Sequence, residues 1–169
     1  GDHSLNKRSM KSLIEQMTKF GAYFLPKNKF NFPLKLVSTE MPIGISYKAG
    51  VSAQLKSAVM FAGLNSYGNT TIIETQKSRN HTENMLLNNS EAIKISNKRK
   101  KTITIFGKKH LNPFIIDVPN DPSSAAFFSA LTILNKDSSI VIKNVCLNDT
   151  RTGFYQILKK QGAKIKYKN

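Results

Sequence analysis

A recurrence of about seventy residues runs through the chain. Gly21-Ala22-Tyr23-Phe24-Leu25, Glu91-Ala92-Ile93-Lys94-Ile95 and Gly162-Ala163-Lys164-Ile165-Lys166 each follow an amphipathic helical pattern, and their alanines lie 70 and 71 residues apart. Ser52 and Ser123, each opening an apolar helical stretch, are 71 apart, and Ile45 and Ile115, in the strand-like segments before them, are 70 apart. One offset held by several elements marks duplicated units, and its length is too great for a short-repeat solenoid. The order within a unit reads strand, apolar helix, strand, amphipathic helix, strand, strand. The periodicities predict helices over 10–20, 52–64, 82–89, 122–134 and 152–161. They predict strands over 23–25, 34–37, 43–48, 70–74, 92–96, 102–106, 114–118, 139–143 and 163–167.

The apolar helices set the layering. The segment 122–134, "PSSAAFFSALTIL", carries no charge, so it is expected to be covered on nearly every side. The segment 52–64 is polar over its first turns and apolar after Lys56. Repeated α/β units with helices inside and sheets around them is the expected fold. By the same offset, the counterpart of 102–106 would start beyond Asn169. The chain also begins at Gly1, so the expectation is an internal fragment.

Composition narrows the partners. The formal net charge of +16 invites nucleic acid, but only Arg8, Arg79, Arg99 and Arg151 among the 26 basic residues are arginines. Readers of bases and phosphates favour the bidentate arginine fork. The dense run Lys98-Arg99-Lys100-Lys101 lies between two strand patterns and reads as a solvated hairpin. No nucleic-acid partner is expected. No apolar run reaches the roughly 18 residues of a membrane span. Cys146 is the single cysteine, which excludes an intrachain disulfide and suits a reducing cytoplasm.

Several junctions carry polar groups suited to anions. Ser52-Ala53-Gln54 follows Ala49-Gly50 and opens a helix, where unpaired N–H groups and the positive dipole end favour phosphate. An N-cap role for Ser52 explains the same residue. Arg8, in "GDHSLNKRSM", stands at a helix entrance where it could clamp a carboxylate or phosphate; on the residues alone a solvated surface arginine is the simpler reading. Lys77-Ser78-Arg79-Asn80-His81-Thr82 is a basic turn at a strand end, a common place for α/β ligands, or a cap formed by Asn80 or Thr82. Asp121 and Pro122 read as the N-cap and first residue of the next helix. There is no Walker loop, no dinucleotide-binding glycine pattern and no metal-ligand spacing around His81, so no cofactor or metal is expected.

Together "GDHSLNKRSM", "SAQLKSAVMFAGL", "KSRNHTENML", "DVPNDPSSAAFF" and "NDTRTG" resemble, in order and spacing, the 5-enolpyruvylshikimate-3-phosphate synthases, over essentially the whole chain. The resemblance implies the two-lobed enolpyruvyl transferase fold, an inside-out α/β barrel whose lobes are built from βαβαββ units with inward helices. It implies that 1–118 form the later part of one lobe and 119–169 the start of the other. It further implies transfer of the enolpyruvyl group of phosphoenolpyruvate to the 5-hydroxyl of shikimate 3-phosphate, in the cytoplasm, by a monomer when full length. By that resemblance Arg8 grips phosphoenolpyruvate, Ser52 and Ala53 hold shikimate 3-phosphate, Gln54 meets both, and Ser78 and Arg79 belong to the loop on shikimate 3-phosphate. Ser9 replaces the usual proline and Asn80 an aspartate. The family's lysine-serine motif, glycine-rich loop and catalytic aspartate, lysine and glutamate have no counterparts here, so the fragment is expected to be inactive alone. The alternatives are a UDP-N-acetylglucosamine enolpyruvyl transferase, which shares the architecture but not these serine and arginine motifs, and a non-catalytic basic binding module.

Overall fold

The computed structural model describes residues 2–89 and 91–168; Gly1, in the first motif, Ser90 and Asn169 lie outside them. The chain divides into two compact units, Gly1–Phe114 and Ile115–Asn169.

The first unit opens with a short helix α1 (His3–Asn6), capped by Asp2, whose carboxylate accepts the Leu5 N–H at 2.7 Å. Helix α2 (Lys11–Lys19) follows, and then the antiparallel pair β1 (Tyr23–Leu25) and β2 (Lys35–Val37). The exit from α2 explains part of the sequence recurrence. Gly21 adopts φ +103°, its N–H donates to the Thr18 carbonyl at 3.0 Å, and the Ala22 N–H donates to Met17 at 3.2 Å. This is the Schellman closure, which needs a left-handed residue and so selects glycine. Gly162 (φ +98°) and Ala163 repeat it on Lys159 and Leu158 at 3.1 and 3.0 Å, so two of the recurring alanines mark the same helix stop.

The remainder of the first unit is one full repeat. In order come β3 (Ser46–Ala49), α3 (Ala53–Asn65), β4 (Asn69–Glu74), α4 (His81–Asn89), β5 (Ile93–Ser96) and β6 (Lys101–Phe106). This βαβαββ order is the one read from the sequence. The sheet runs β3-β4-β6-β5, with β3 parallel to β4 and the other pairs antiparallel. Strand alternation buries Tyr47 and Ala49 of β3, Thr70, Ile72 and Glu74 of β4, and Ile103 and Ile105 of β6. Helix α3 buries Lys56, Val59, Met60, Gly63 and Leu64, a stripe at helical spacing. Gly63 is where α3 approaches β4 most closely: a Cβ there would stand 2.8 Å from Thr70 Cβ. Each apolar core side chain contributes about 1.5–3 kcal/mol, so this helix–sheet layer supplies most of the unit's stability.

The turn 97–100 between β5 and β6 is fully exposed, as expected of a solvated hairpin. Element boundaries otherwise shift by a residue or so, except that the strand expected over 43–48 narrows to β3, with Ile43 making a single bridge to Tyr67.

The second unit holds α5 (Pro122–Leu134) and α6 (Gly153–Lys160). Asp121 caps α5 by accepting the Ser124 N–H at 3.2 Å, with Pro122 at its start. Tyr155 of α6 donates its hydroxyl to the Pro122 carbonyl at 2.7 Å. Two expectations fail here. The segments 114–118, 139–143 and 163–167 form no strands; among its described residues the unit has one parallel bridge, Asn120 to Val145. A strand exists through its ladder, and among the described residues these segments have no partner to supply one. The uncharged helix α5 is not enclosed either. It buries only Pro122 and Ala125, while Phe127 and Leu134 are 79% and 84% exposed.

Candidate anion-binding site

The parallel pairing of β3 with β4 brings together the Ser52-Ala53-Gln54 and Ser78-Arg79 motifs. In its register Ala49 lies beside Glu74, so the connections leaving both strands emerge at one sheet edge. The first leads into α3 through Ser52-Ala53-Gln54 and the second is the turn 75–80 carrying Ser78 and Arg79. Carboxyl ends of adjacent parallel strands are where open α/β sheets hold ligands. Thr75 secures the turn to the neighbouring strand: its N–H and hydroxyl both donate to the Ala49 carbonyl, at 3.1 and 2.7 Å.

Ser52 is the N-cap of α3, and its Oγ accepts the Leu55 N–H at 3.3 Å. Capping uses an oxygen lone pair and leaves the hydroxyl proton for an anion, so the cap and binding readings coexist. Ser52 and Gln54 are exposed, and Ala53 is half-buried. Arg79 is exposed, whereas Ser78 is buried.

The polar half of α3 divides in two. Only its first turn faces solvent. Lys56 has no exposed surface, and its ammonium meets Glu74 Oε1 at 2.7 Å and Glu83 Oε1 at 2.5 Å. Lys101 of β6 joins the cluster, 2.7 Å from Glu74 Oε2 and 3.5 Å from Glu83 Oε1. Ser57 shares a 2.8 Å hydrogen bond with Thr82 Oγ1. Glu74 also accepts from Ser78, from its N–H at 3.3 Å and its hydroxyl at 3.0 Å. Burial pushes the Glu74 carboxyl up, but hydrogen bonds from Lys101 and Lys56, with their charges, outweigh this and hold it at about 2.

These ionic residues were not singled out from the sequence, although a signal was there. Lys56 lies on the 56-59-60-63-64 stripe of α3, and Glu74 on the 70-72-74 face of β4. A charge on a buried stripe requires a partner on the facing element.

Arg8 lies apart from this edge. It sits between α1 and α2, its backbone N–H donates to the Leu5 carbonyl at 3.1 Å, and its side chain is exposed. Among the described residues no hydrogen bond or ion pair joins Arg8 to Ser52, Gln54 or Arg79. Beside it, Lys7, Ser9, Lys27, Lys29 and Phe30 line an open pocket of about 430 Å³ with no carboxylate in its wall. In the second unit Arg151 pairs with Asp121 and donates to Ser123 Oγ at 2.8 Å, which fixes the "NDTRTG" motif against the start of α5. The Ser123 backbone N–H and the Arg151 charge hold the Asp121 carboxyl below its usual range.

A βαβαββ unit whose two parallel strands release their connections at one carboxyl edge defines the chain as a mixed α/β protein. The chain belongs to the EPSP synthase (3-phosphoshikimate 1-carboxyvinyltransferase) family, whose model matches residues 1–169. The 3-phosphoshikimate 1-carboxyvinyltransferase of Thermodesulfovibrio yellowstonii is 44% identical over 170 residues, covering 100% of this chain and 39% of that protein. The Bacillus subtilis protein of the same name is 43% identical over 169 residues, covering 99% of this chain and 39% of its own length. The solved EPSP synthase of Acinetobacter baumannii superposes with a TM-score of 0.81 at 34% identity, over 100% of this chain and 38% of that one. The chain thus spans about two-fifths of the length of the relatives it matches.

Proposed function

We propose that this chain forms part of an enzyme that transfers the enolpyruvyl group of phosphoenolpyruvate to the 5-hydroxyl of shikimate 3-phosphate, releasing phosphate. The observation that carries the reading is the Ala49–Glu74 register, which sets Ser52-Ala53-Gln54 and Ser78-Arg79 at one edge of a parallel strand pair. The family match over the whole chain and the names of its relatives agree with it.

In this reading Ser52 donates to shikimate 3-phosphate, Ala53 offers its N–H at the start of α3, and Gln54 touches both substrates. Ser78 and Arg79 complete the shikimate 3-phosphate side, and Arg8 grips phosphoenolpyruvate as a bidentate clamp. The hydroxyl adds to C2 of phosphoenolpyruvate while C3 gains a proton. Loss of phosphate and of a C3 proton then restores the double bond. Holding two phosphorylated substrates together demands fixed cations, and each proton transfer demands a positioned acid or base. Residues 1–118 contribute to one lobe and 119–169 to the other, the acid–base groups come from outside this chain, and the enzyme acts as a cytoplasmic monomer.

The test is a steady-state comparison of three variants in a full-length protein carrying this sequence, with folding checked by thermal melts. Gln54→Ala is expected to weaken shikimate 3-phosphate use roughly tenfold to a hundredfold, the worth of a hydrogen bond to a charged group. Arg8→Ala falls mainly on phosphoenolpyruvate. Lys98→Ala, in the exposed β5–β6 turn, affects neither substrate. A silent Gln54→Ala, or a Lys98→Ala as damaging as Arg8→Ala, refutes the assignment.

A further inference from the structure

Resting on that reading, we propose that Glu74 and Lys56 are positioning residues that hold the Ser78 turn against the first turns of α3, so that the two substrate-facing segments act as one piece. Glu74 ends β4, on the core face of its sheet, and it accepts both the backbone N–H and the hydroxyl of Ser78. Its other contact from the same oxygen is Lys56, four residues after Ser52 on α3. The chain of bonds therefore runs from helix to strand end to turn. Neither side chain reaches the solvent edge, since Lys56 is fully buried and the Glu74 side chain is 3% exposed. Both thus act through Ser78 and the helix rather than on a ligand. Glu83 and Lys101 belong to the same cluster, but neither has a hydrogen bond or ion pair to Ser78.

That division makes the inference testable, because the cluster can be halved in two ways without changing its charge. Lys56→Met with Glu74→Leu leaves the Lys101–Glu83 pair and removes the acceptor of Ser78. Glu83→Leu with Lys101→Met leaves Lys56, Glu74 and Ser78 connected. In a full-length protein carrying this sequence, the first pair is expected to raise KM for shikimate 3-phosphate at least tenfold, with a smaller change in kcat. It should also speed hydrogen exchange in the peptide spanning 75–80. The second pair should do neither, whatever either pair does to the melting temperature. If both pairs act alike, or if the first leaves KM and exchange unmoved, the cluster is merely structural and the inference falls. Should the first pair fail to fold, Glu74→Leu with Lys101→Met, which also removes the acceptor of Ser78 at unchanged charge and leaves the Lys56–Glu83 pair, is judged by the same two criteria. If the parent protein does not use shikimate 3-phosphate, the substrate reading falls, while exchange over 75–80 still decides whether Glu74 holds the turn.

Discussion

Replacing Lys56 by methionine keeps a long unbranched side chain in the core and deletes one buried charge. In the parent, two buried carboxylates face two ammonium groups, with Lys56 at 2.7 and 2.5 Å from Glu74 and Glu83. In Lys56→Met, both carboxylates depend on Lys101, which is 30% exposed and stands 3.5 Å from Glu83. Removing one partner of a buried ion pair costs about 3–5 kcal/mol, because the remaining charge stays desolvated without compensation. Set against the roughly 5–15 kcal/mol of a typical domain, that is a large share of the stability. Urea unfolding followed by far-UV circular dichroism measures it. With a slope of about 2 kcal/mol per molar, the midpoint should fall by roughly 1.5–2.5 M. Adding Glu83→Leu should recover most of the loss, since a neutral Lys101–Glu74 pair remains. A loss under about 1 kcal/mol would mean that the cluster behaves like a solvated surface pair, and absence of recovery would mean that charge balance is not what Lys56 provides. Either result refutes the reasoning.

The Glu74 carboxyl is held at about 2, below its reference value of 4.5, so its contribution is fully present above pH 4.5 and is lost as pH falls toward 2. Unfolding free energies at pH 6 and pH 2 should differ by roughly 3 kcal/mol through this group, and Lys56→Met should move the acid transition to higher pH. Gly63→Ala, favourable in most helix interiors, should instead cost about 1–3 kcal/mol by thermal melt, because its Cβ would press on Thr70 at 2.8 Å. Phe127→Ser on the exposed face of α5 should lower dye binding and self-association of the 169-residue chain in size-exclusion chromatography. Its effect on stability should stay within about 0.5 kcal/mol.

What could be read from the residues was the part governed by local rules. The βαβαββ order followed from alternating periods, and the recurring Gly-Ala pairs followed from a helix stop that demands positive φ at Gly21 and Gly162. The junctions at Ser52 and Asp121 were visible as caps and are caps. Features that depend on distant partners were read poorly. Ile115, Ile116 and Val118 have the composition of a strand, yet they remain exposed without a ladder. The uncharged α5 implied a covering layer, and an apolar pattern states that a surface is to be buried without saying by what. By polarity alone Lys56 belongs with Ser52 and Gln54 to a polar helix end. Its place on the 56-59-60-63-64 stripe is legible in the sequence, but the partner that this place demands, Glu74, stands eighteen residues on and is not.

On the proposed function, the ionic cluster also accounts for how a substrate-facing edge tolerates a carboxylate beneath it. Glu74 lies directly under the Ser78 turn, and an uncompensated negative charge there would repel a phosphorylated ligand. Lys56 and Lys101 cancel the charges of Glu74 and Glu83, so the four residues together contribute none of the net +16. The field at the edge is then set by the exposed cations of the turn, Lys77 and Arg79, and by the N-terminus of α3. The buried carboxylate shapes the turn through hydrogen bonds while the surface stays positive. On the proposed reading this arrangement separates two tasks that a single exposed residue would have to combine: Glu74 orders the backbone that presents Ser78, and the lysines keep that ordering from opposing the ligand's charge.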